Sequence, residues 1–231
     1  MNILLCTPTL GQVKTGYFTS VLRTVHHINT LPDIHLETLT VNNQLTQRAR
    51  NILTHYFLKD KKYTHLFFVD SDIEFSPEDF IKVATSGKPI NCALYPNKVY
   101  YWTPERCTKG RDFLVNFSAR GTDVSSFDKA TGLCEIDLVA TGFMCIERGV
   151  FEKIQDKVGT FKYSNNERMH DYWNCKIIDD EWMTEDYVFS RLAQESGYTL
   201  YSDLTVQLTH IGDNGYTSNP MNVLLQQEGN N

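Results

Sequence analysis

The first half of the chain alternates short apolar runs with longer amphipathic segments, the pattern of an α/β domain built on parallel strands. Asn2–Cys6 reads as a buried first strand. A helix is expected from Tyr17 to Asn29, with Tyr17, Val21, Val25 and Ile28 at helical spacing and Pro32 beyond its end. Ile34–Val41 reads as a second strand. The segment from Gln44 to Lys59 reads as a strong helix, its stripe made by Leu45, Ala49, Ile52, Leu53, Tyr56 and Phe57. His65–Val69 is a continuous apolar run of the kind buried on both faces. Ser76-Pro77-Glu78-Asp79 opens another helix with a capping serine, a proline at the first position and acids in the first turn. Ile90–Tyr95 is a fourth strand.

The second half is less regular. From Pro96 to Gly132 the pattern loosens into polar and aromatic residues with hairpin pieces. Cys134–Ala140 and Phe143–Ile146 read as strands, followed by a short helix to about Asp156. Lys157–Asp180 reads as a long, irregular, aromatic-rich segment, and such loops in compact domains are more often functional than accidental. A last helix is capped at Thr184 and ends at Gly197. Two short strands follow near Thr199–Tyr201 and Thr205–Thr209, and the polar tail after Pro220 is expected to be mobile. No repeat or linker divides the 231 residues, so one domain is expected over residues 1–231.

Charge and cysteine usage narrow the function. The net charge is 22 − 28 = −6, which argues against a nucleic-acid partner, since those binders carry a basic excess to neutralise phosphates. Apolar stretches fall far short of the about 18 residues that span a bilayer, and the N-terminus lacks the basic flank of a signal peptide. Cys6, Cys92, Cys107, Cys134, Cys145 and Cys175 show neither CxxC pairs nor zinc-like spacing. They read as reduced structural thiols, and a cytoplasmic location is expected.

The most informative string is Phe67-Phe68-Val69-Asp70-Ser71-Asp72. Two carboxylates two residues apart, at the end of a buried strand, can project together into the crevice where α/β sheets bind ligands. Their oxygens suit Mn²⁺ or Mg²⁺, which would in turn neutralise a diphosphate. The same residues also make an ordinary turn closing a strand.

Other separated pieces keep this string company: Thr7-Pro8-Thr9, Arg48-Ala49-Arg50-Asn51, Ala140-Thr141-Gly142-Phe143, Thr184-Glu185-Asp186 and His210-Ile211-Gly212. Together they make the chain resemble the nucleotide-sugar-dependent glycosyltransferases of the GT-A fold, with the flavour of small viral or microbial enzymes and of the Anp1-type mannosyltransferases. The resemblance implies a Rossmann-like α/β fold with a central, mixed but mostly parallel sheet flanked by helices. It divides the chain into a donor half up to about residue 95, an acceptor half at about 96–215 and a tail over 216–231. It implies a UDP- or GDP-linked sugar as donor and a glycan or other hydroxyl as acceptor; if viral, the enzyme would work in the host cytoplasm.

By the same resemblance, Thr7, Pro8 and Thr9 contact base and ribose, Arg50 and Asn51 meet phosphate, base or ribose, and Asp70, Ser71 and Asp72 hold the donor. His210 completes a metal site begun by Asp70 and Asp72. Thr141 and Gly142 lie beside the transferring sugar and acceptor, and by residue type Trp182, with Trp173 and Tyr172, offers a sugar-stacking wall. Asp186 is the expected general base and Glu185 its alternate. Each piece also has a plain structural reading: a polar turn at Thr7–Thr9, a solvated helix face at Arg48 and Arg50, a tight strand connection at Thr141-Gly142, a helix start at Thr184, a structural histidine at His210.

Two other classes compete. A phosphatase resembling the haloacid-dehalogenase superfamily would use Asp70 and Asp72, with Lys176-Ile177-Ile178-Asp179-Asp180 as its later acidic motif. Against it, two strand–helix units precede Asp70, and Glu74 stands where that family has Thr or Val. A non-catalytic glycan- or nucleotide-binding module is the third possibility.

Overall fold

The computed structural model describes residues 1–42, 44–99, 116–164, 166–221 and 223. Cys107, residues 100–115 of the loosely patterned segment and most of the tail lie outside them. The elements begin β1 (Asn2–Thr9), α1 (Thr15–Ile28), β2 (His35–Asn42), α2 (Thr46–Lys59), β3 (His65–Val69), β4 (Ile73–Glu74), α3 (Pro77–Ala84) and β5 (Ile90–Cys92). Then come β6 (Ala119–Asp123), β7 (Leu133–Val139), β8 (Phe143–Glu147) and α4 (Arg148–Ile154). Two hairpins follow, β9 (Thr160–Ser164) with β10 (Glu167–His170), and β11 (Lys176–Ile178) with β12 (Glu181–Met183). The described elements end with α5 (Glu185–Gln194), β13 (Leu200–Asp203), β14 (Thr209–Ile211) and β15 (Gly215–Thr217).

Eight strands form the central sheet in the order β2-β1-β3-β8-β5-β13-β7-β6. The pairings send β2, β1, β3, β5, β13 and β6 one way and β8 and β7 the other, so the sheet is mixed and mostly parallel in direction. Strand alternation feeds two cores. Leu4, Cys6, Leu66 and Phe68 face one side, where α2, α4 and α5 contribute Leu53, Phe57, Phe151 and Phe189. Ile3, Leu5, Phe67 and Val69 face the other, beneath Tyr17 and Ile28 of α1 and Phe80 and Val83 of α3. Both cores exist because β1 is apolar from Ile3 to Cys6 and β3 from Leu66 to Val69, as strands buried on two faces must be. Each fully buried Leu or Phe contributes about 1.5–3 kcal/mol.

Several expectations need correction. β1 runs to Thr9, so Thr7-Pro8-Thr9 is strand and pairs with Thr40-Val41-Asn42 rather than forming a loop. The α2 stripe loses Leu45 and Tyr56 to solvent, while Arg50 and Asn51 are only 3% exposed. Burial at the start of α2 covers Ala49–Thr54 without a break, because this turn lies between the sheet and the Asp171–Trp173 segment. Lys157–Asp180 is more regular than its composition suggests. It holds the β9–β10 hairpin and most of β11–β12, whose turn residues Asp179 and Asp180 have φ of 53° and 62°, as a type I′ hairpin turn needs. Gly215–Thr217, partly within the expected tail, pairs with β14.

A second, three-stranded sheet, β15-β14-β4, branches off where the chain leaves β3 for β4. Its register sets His210 opposite Ile73, one residue beyond Asp72. No helix among the described residues is long and apolar enough to cross a membrane.

Candidate active site

The end of β3 is held by its backbone. The Asp70 N–H donates to the Gly142 carbonyl at 2.9 Å, the Lys14 N–H to Ser71 O at 2.9 Å and the Ile211 N–H to Asp72 O at 2.8 Å. The Asp70-Ser71-Asp72 turn is thus pinned by the β1–α1 connection, the β7–β8 connection and β14. Two of the other separated sequence pieces thus meet the turn, 140–143 through Gly142 and 210–212 through Ile211.

The two carboxylates have different partners. Asp70 Oδ1 accepts from Arg50 Nη2 at 3.0 Å, and the same guanidinium reaches Glu185 Oε1 through Nε at 3.5 Å. Arg50 also lies over the Phe68 ring, 5.2 Å from its centroid, so a buried cation links the strand end to the start of α5. Burial opposes the charge on Arg50, and Asp70 and Glu185 more than offset it. Among the described residues Nη1 is buried without a hydrogen-bond partner, an orphan donor that costs free energy unless an oxygen meets it.

Asp72 faces His210 and Lys98. Its Oδ2 accepts from Lys98 Nζ at 2.5 Å, and its Oδ1 lies 3.6 Å from His210 Nε2. Burial pushes the Asp72 carboxyl up, and His210 and Lys98 outweigh it, holding the group below its ordinary range. His210 Nδ1 lies 2.9 Å from Pro96 O. A carbonyl only accepts, so Nδ1 carries the proton and a neutral ring turns its Nε2 lone pair toward Asp72. Two electron pairs facing each other call for positive charge between them, from a proton on Nε2 or from a cation. This donor set of carboxylate oxygen and imidazole nitrogen fits a divalent ion of the Mn²⁺ or Mg²⁺ kind. The expected trio does not assemble: Asp70 is turned to Arg50, and among the described residues no three His, Cys, Asp or Glu side chains converge on one point.

The acidic pair at the start of α5 is close by. Asp186 Oδ1 accepts from the Thr184 hydroxyl and, at 2.9 Å, from the Tyr187 N–H. Thr184 occupies the cap position, but its hydroxyl serves this carboxylate rather than the helix backbone. Burial raises the Asp186 carboxyl above its ordinary range. Burial also raises Glu185, which Arg50 pulls back and Asp186 pushes further up.

Other candidates take structural positions. Thr7 Oγ1 shares a 2.5 Å hydrogen bond with Tyr17 OH, and Thr9 Oγ1 donates to Gln12 O at 2.5 Å, organising the turn after β1. The Asn51 amide, expected at base or ribose, is engaged within the fold. It donates to Asp171 Oδ1 at 2.7 Å and accepts from the Trp173 N–H at 3.2 Å. Trp173 and Tyr172 are core rather than a wall, Trp173 stacking on Phe189 at 4.3 Å. Trp182 is 70% exposed, opposite the equally exposed Ile177 across the hairpin. Thr141 is buried with its hydroxyl unpartnered among the described residues. Asp179 and Asp180 are exposed turn residues.

Sequence reasoning missed Tyr95 and Lys98. Tyr95 OH accepts from the Gly142 N–H at 3.2 Å, its ring meets His210 edge-on at 5.0 Å, and burial, then Asp70 and Asp186, hold its hydroxyl far above the usual range. The signal available was proximity to the end of the fourth strand, shared by Tyr95, Pro96 and Lys98.

No protein-family model matches the sequence, and no curated protein matches it. Solved structures do. A197 from STIV aligns with a TM-score of 0.55 and 20% identity, over 95% of this chain and 91% of that one. GalNAc-T7, solved with UDP, GalNAc and Mn²⁺, aligns with a TM-score of 0.54 and 10% identity, over 91% of this chain and 44% of its own. At such identities the likeness is one of fold. The architecture is that of the GT-A glycosyltransferases, as the separated motifs imply.

Proposed function

We propose that the chain is a metal-dependent glycosyltransferase moving a sugar from a nucleoside-diphosphate donor to a hydroxyl of a glycan or other acceptor. The observation that carries this reading is the meeting of Asp70 and Asp72, at the end of the central strand, with His210 and, through Arg50, with the acids opening α5. Donor chemistry falls to residues before about 95 together with His210, and acceptor chemistry to the later segments.

Asp72 and His210 would hold the divalent ion, which when bound neutralises the departing diphosphate. Thr7, Pro8 and Thr9 shape the nucleoside side, with Ser71 fixed beside them through Lys14. Arg50 pairs with Asp70 and Glu185 and offers Nη1 to a donor oxygen. Asp186 is the better base than Glu185, because Glu185 already accepts from Arg50. In an inverting transfer the acceptor oxygen bonds to the anomeric carbon as the bond to the diphosphate breaks, and Asp186 takes the acceptor proton. Thr141 and Gly142 lie beside Asp70, and Trp182 offers an apolar face to an acceptor.

Release of nucleoside diphosphate from UDP- and GDP-linked sugars with Mn²⁺ tests the reading. The parent is expected to release it, and Asp72→Ala to be slower by about 100-fold or more, as when a transition-state contact is lost. Equal rates for parent and variant would overturn the assignment. So would hydrolysis of simple phosphomonoesters with Mg²⁺ in place of transfer, although the exposed turn position of Asp179 and Asp180 speaks against that chemistry.

A further inference from the structure

Lys98 is outside every motif that suggested the site, yet it makes the shortest described contact with the acidic pair. Its Nζ lies 2.5 Å from Asp72 Oδ2. Its stem runs past Gly212, where an added Cβ would meet Lys98 Cδ at 3.1 Å and Cγ at 3.6 Å. Gly212 belongs to the same chain turn as His210, so the glycine leaves room for a lysine aimed at the carboxylate that His210 faces. Asp72 therefore has one oxygen toward an imidazole nitrogen and the other on an ammonium. The Lys98 side chain is 36% exposed against 26% for Asp72, and its four-carbon stem is flexible.

We propose that Lys98 is a diphosphate-binding residue of the donor site, parked on Asp72 until the donor and its cation arrive. The inference rests on the donor-site reading above. Lys98 balances the charge of Asp72 from the Oδ2 side, leaving Oδ1 and His210 Nε2 to face a cation. A divalent ion held between Oδ1 and His210 weakens the Lys98 pair on Oδ2, because two positive charges then lie on one carboxylate and repel. The anion brought in with the ion is the diphosphate, and a released ammonium on a flexible stem pairs with its oxygens as a charge-assisted donor.

This exchange gives Lys98 two effects of opposite sign. It competes with a divalent ion for Asp72 and it strengthens binding of the nucleoside diphosphate. Lys98→Met keeps the apolar stem against Gly212 and removes the charge. Calorimetric titration of the parent and of Lys98→Met, first with Mn²⁺ alone and then with UDP, GDP and uridine at saturating Mn²⁺, reads both effects.

The variant is expected to bind Mn²⁺ about two- to fivefold more tightly, the scale of a half-exposed ion pair. It is expected to bind whichever diphosphate the parent prefers about tenfold more weakly, with uridine unchanged. A parent that binds Mn²⁺ and a diphosphate, beside a variant with the same constants, overturns the Lys98 assignment and leaves the donor-site reading standing. A variant weakened for Mn²⁺ and diphosphate alike also overturns it, because competition requires opposite signs. A parent that binds neither Mn²⁺ nor either diphosphate overturns the donor-site reading and this assignment with it.

Discussion

Gly142 has no room for a side chain. An added Cβ would press on the Tyr95 hydroxyl and lie 2.6 Å from Cζ and 2.8 Å from Cε1, against a buried ring with no space to retreat. Gly142→Ala is expected to cost about 1–3 kcal/mol in chemical denaturation, the range for overpacked cores, and to weaken Mn²⁺ binding because Tyr95 also supports the His210 ring. A variant as stable as the parent would mean that Tyr95 is not seated there. The sequence marked Gly142 as part of a tight strand connection, but its neighbour was not readable, since Tyr95 lies 47 residues away in the chain. Arg50 illustrates the same limit. Periodicity assigns a helix face to every arginine alike. Only the tertiary meeting of α2, Asp70 and Glu185 shows that Arg50 is buried while Arg48, two residues earlier, is exposed.

At the scale of elements, local chemistry was legible wherever the determinants are local. The Ser76 hydroxyl accepts from the Asp79 N–H at 3.1 Å with Pro77 at the first helical position, as the four-residue string implied. Ser76→Ala is expected to cost about 1 kcal/mol in denaturation, and a cost near zero would mean that Asp79 and Pro77 suffice to start α3. The β11–β12 hairpin was not legible, because Asp179-Asp180 lacks the glycine or asparagine that marks such turns, and its strands have three residues each. It places Ile177 and Trp182 side by side on an exposed face, while Met183 on the other face joins Leu138 and Val188. Trp182→Ala therefore leaves stability within about 0.5 kcal/mol of the parent, as surface changes do. In steady-state kinetics it should raise the acceptor KM with the donor KM unchanged. A rise in the donor KM alone would move Trp182 out of the acceptor site.

Taken as a whole, the molecule concentrates its electrostatic cost where two sheets meet. The central sheet delivers Asp70 and Asp72, the small sheet delivers His210, and α5 brings a pair of adjacent acids up to a single buried guanidinium. The alternation of strands and helices announced the large sheet. The small one was hidden, because β4 has two residues and β14 and β15 three each, too few for a period to register. The cost has a measurable pH signature at Asp186. Its carboxyl is raised in the folded chain by burial, above the ordinary 3.8 that it keeps when unfolded. The folded state therefore binds the proton more tightly than the unfolded state. The stability this confers is fully present below the unfolded value and is lost as pH rises through the raised, folded one. At neutral pH the ionised carboxylate is a net burden on the fold, tolerated because a general base must be ionised to act. Asp186→Asn keeps an oxygen able to accept from Thr184 and Tyr187 and removes the charge. Its thermal midpoint should exceed that of the parent at pH 7 and converge with it as pH falls below about 4, where the parent is protonated in both states. Transfer should drop by about 100-fold or more, in line with the loss of a general base. An Asp186→Asn variant no more stable than the parent at pH 7, or one that still transfers sugar at the parent rate, would remove Asp186 from the base position and return that role to Glu185.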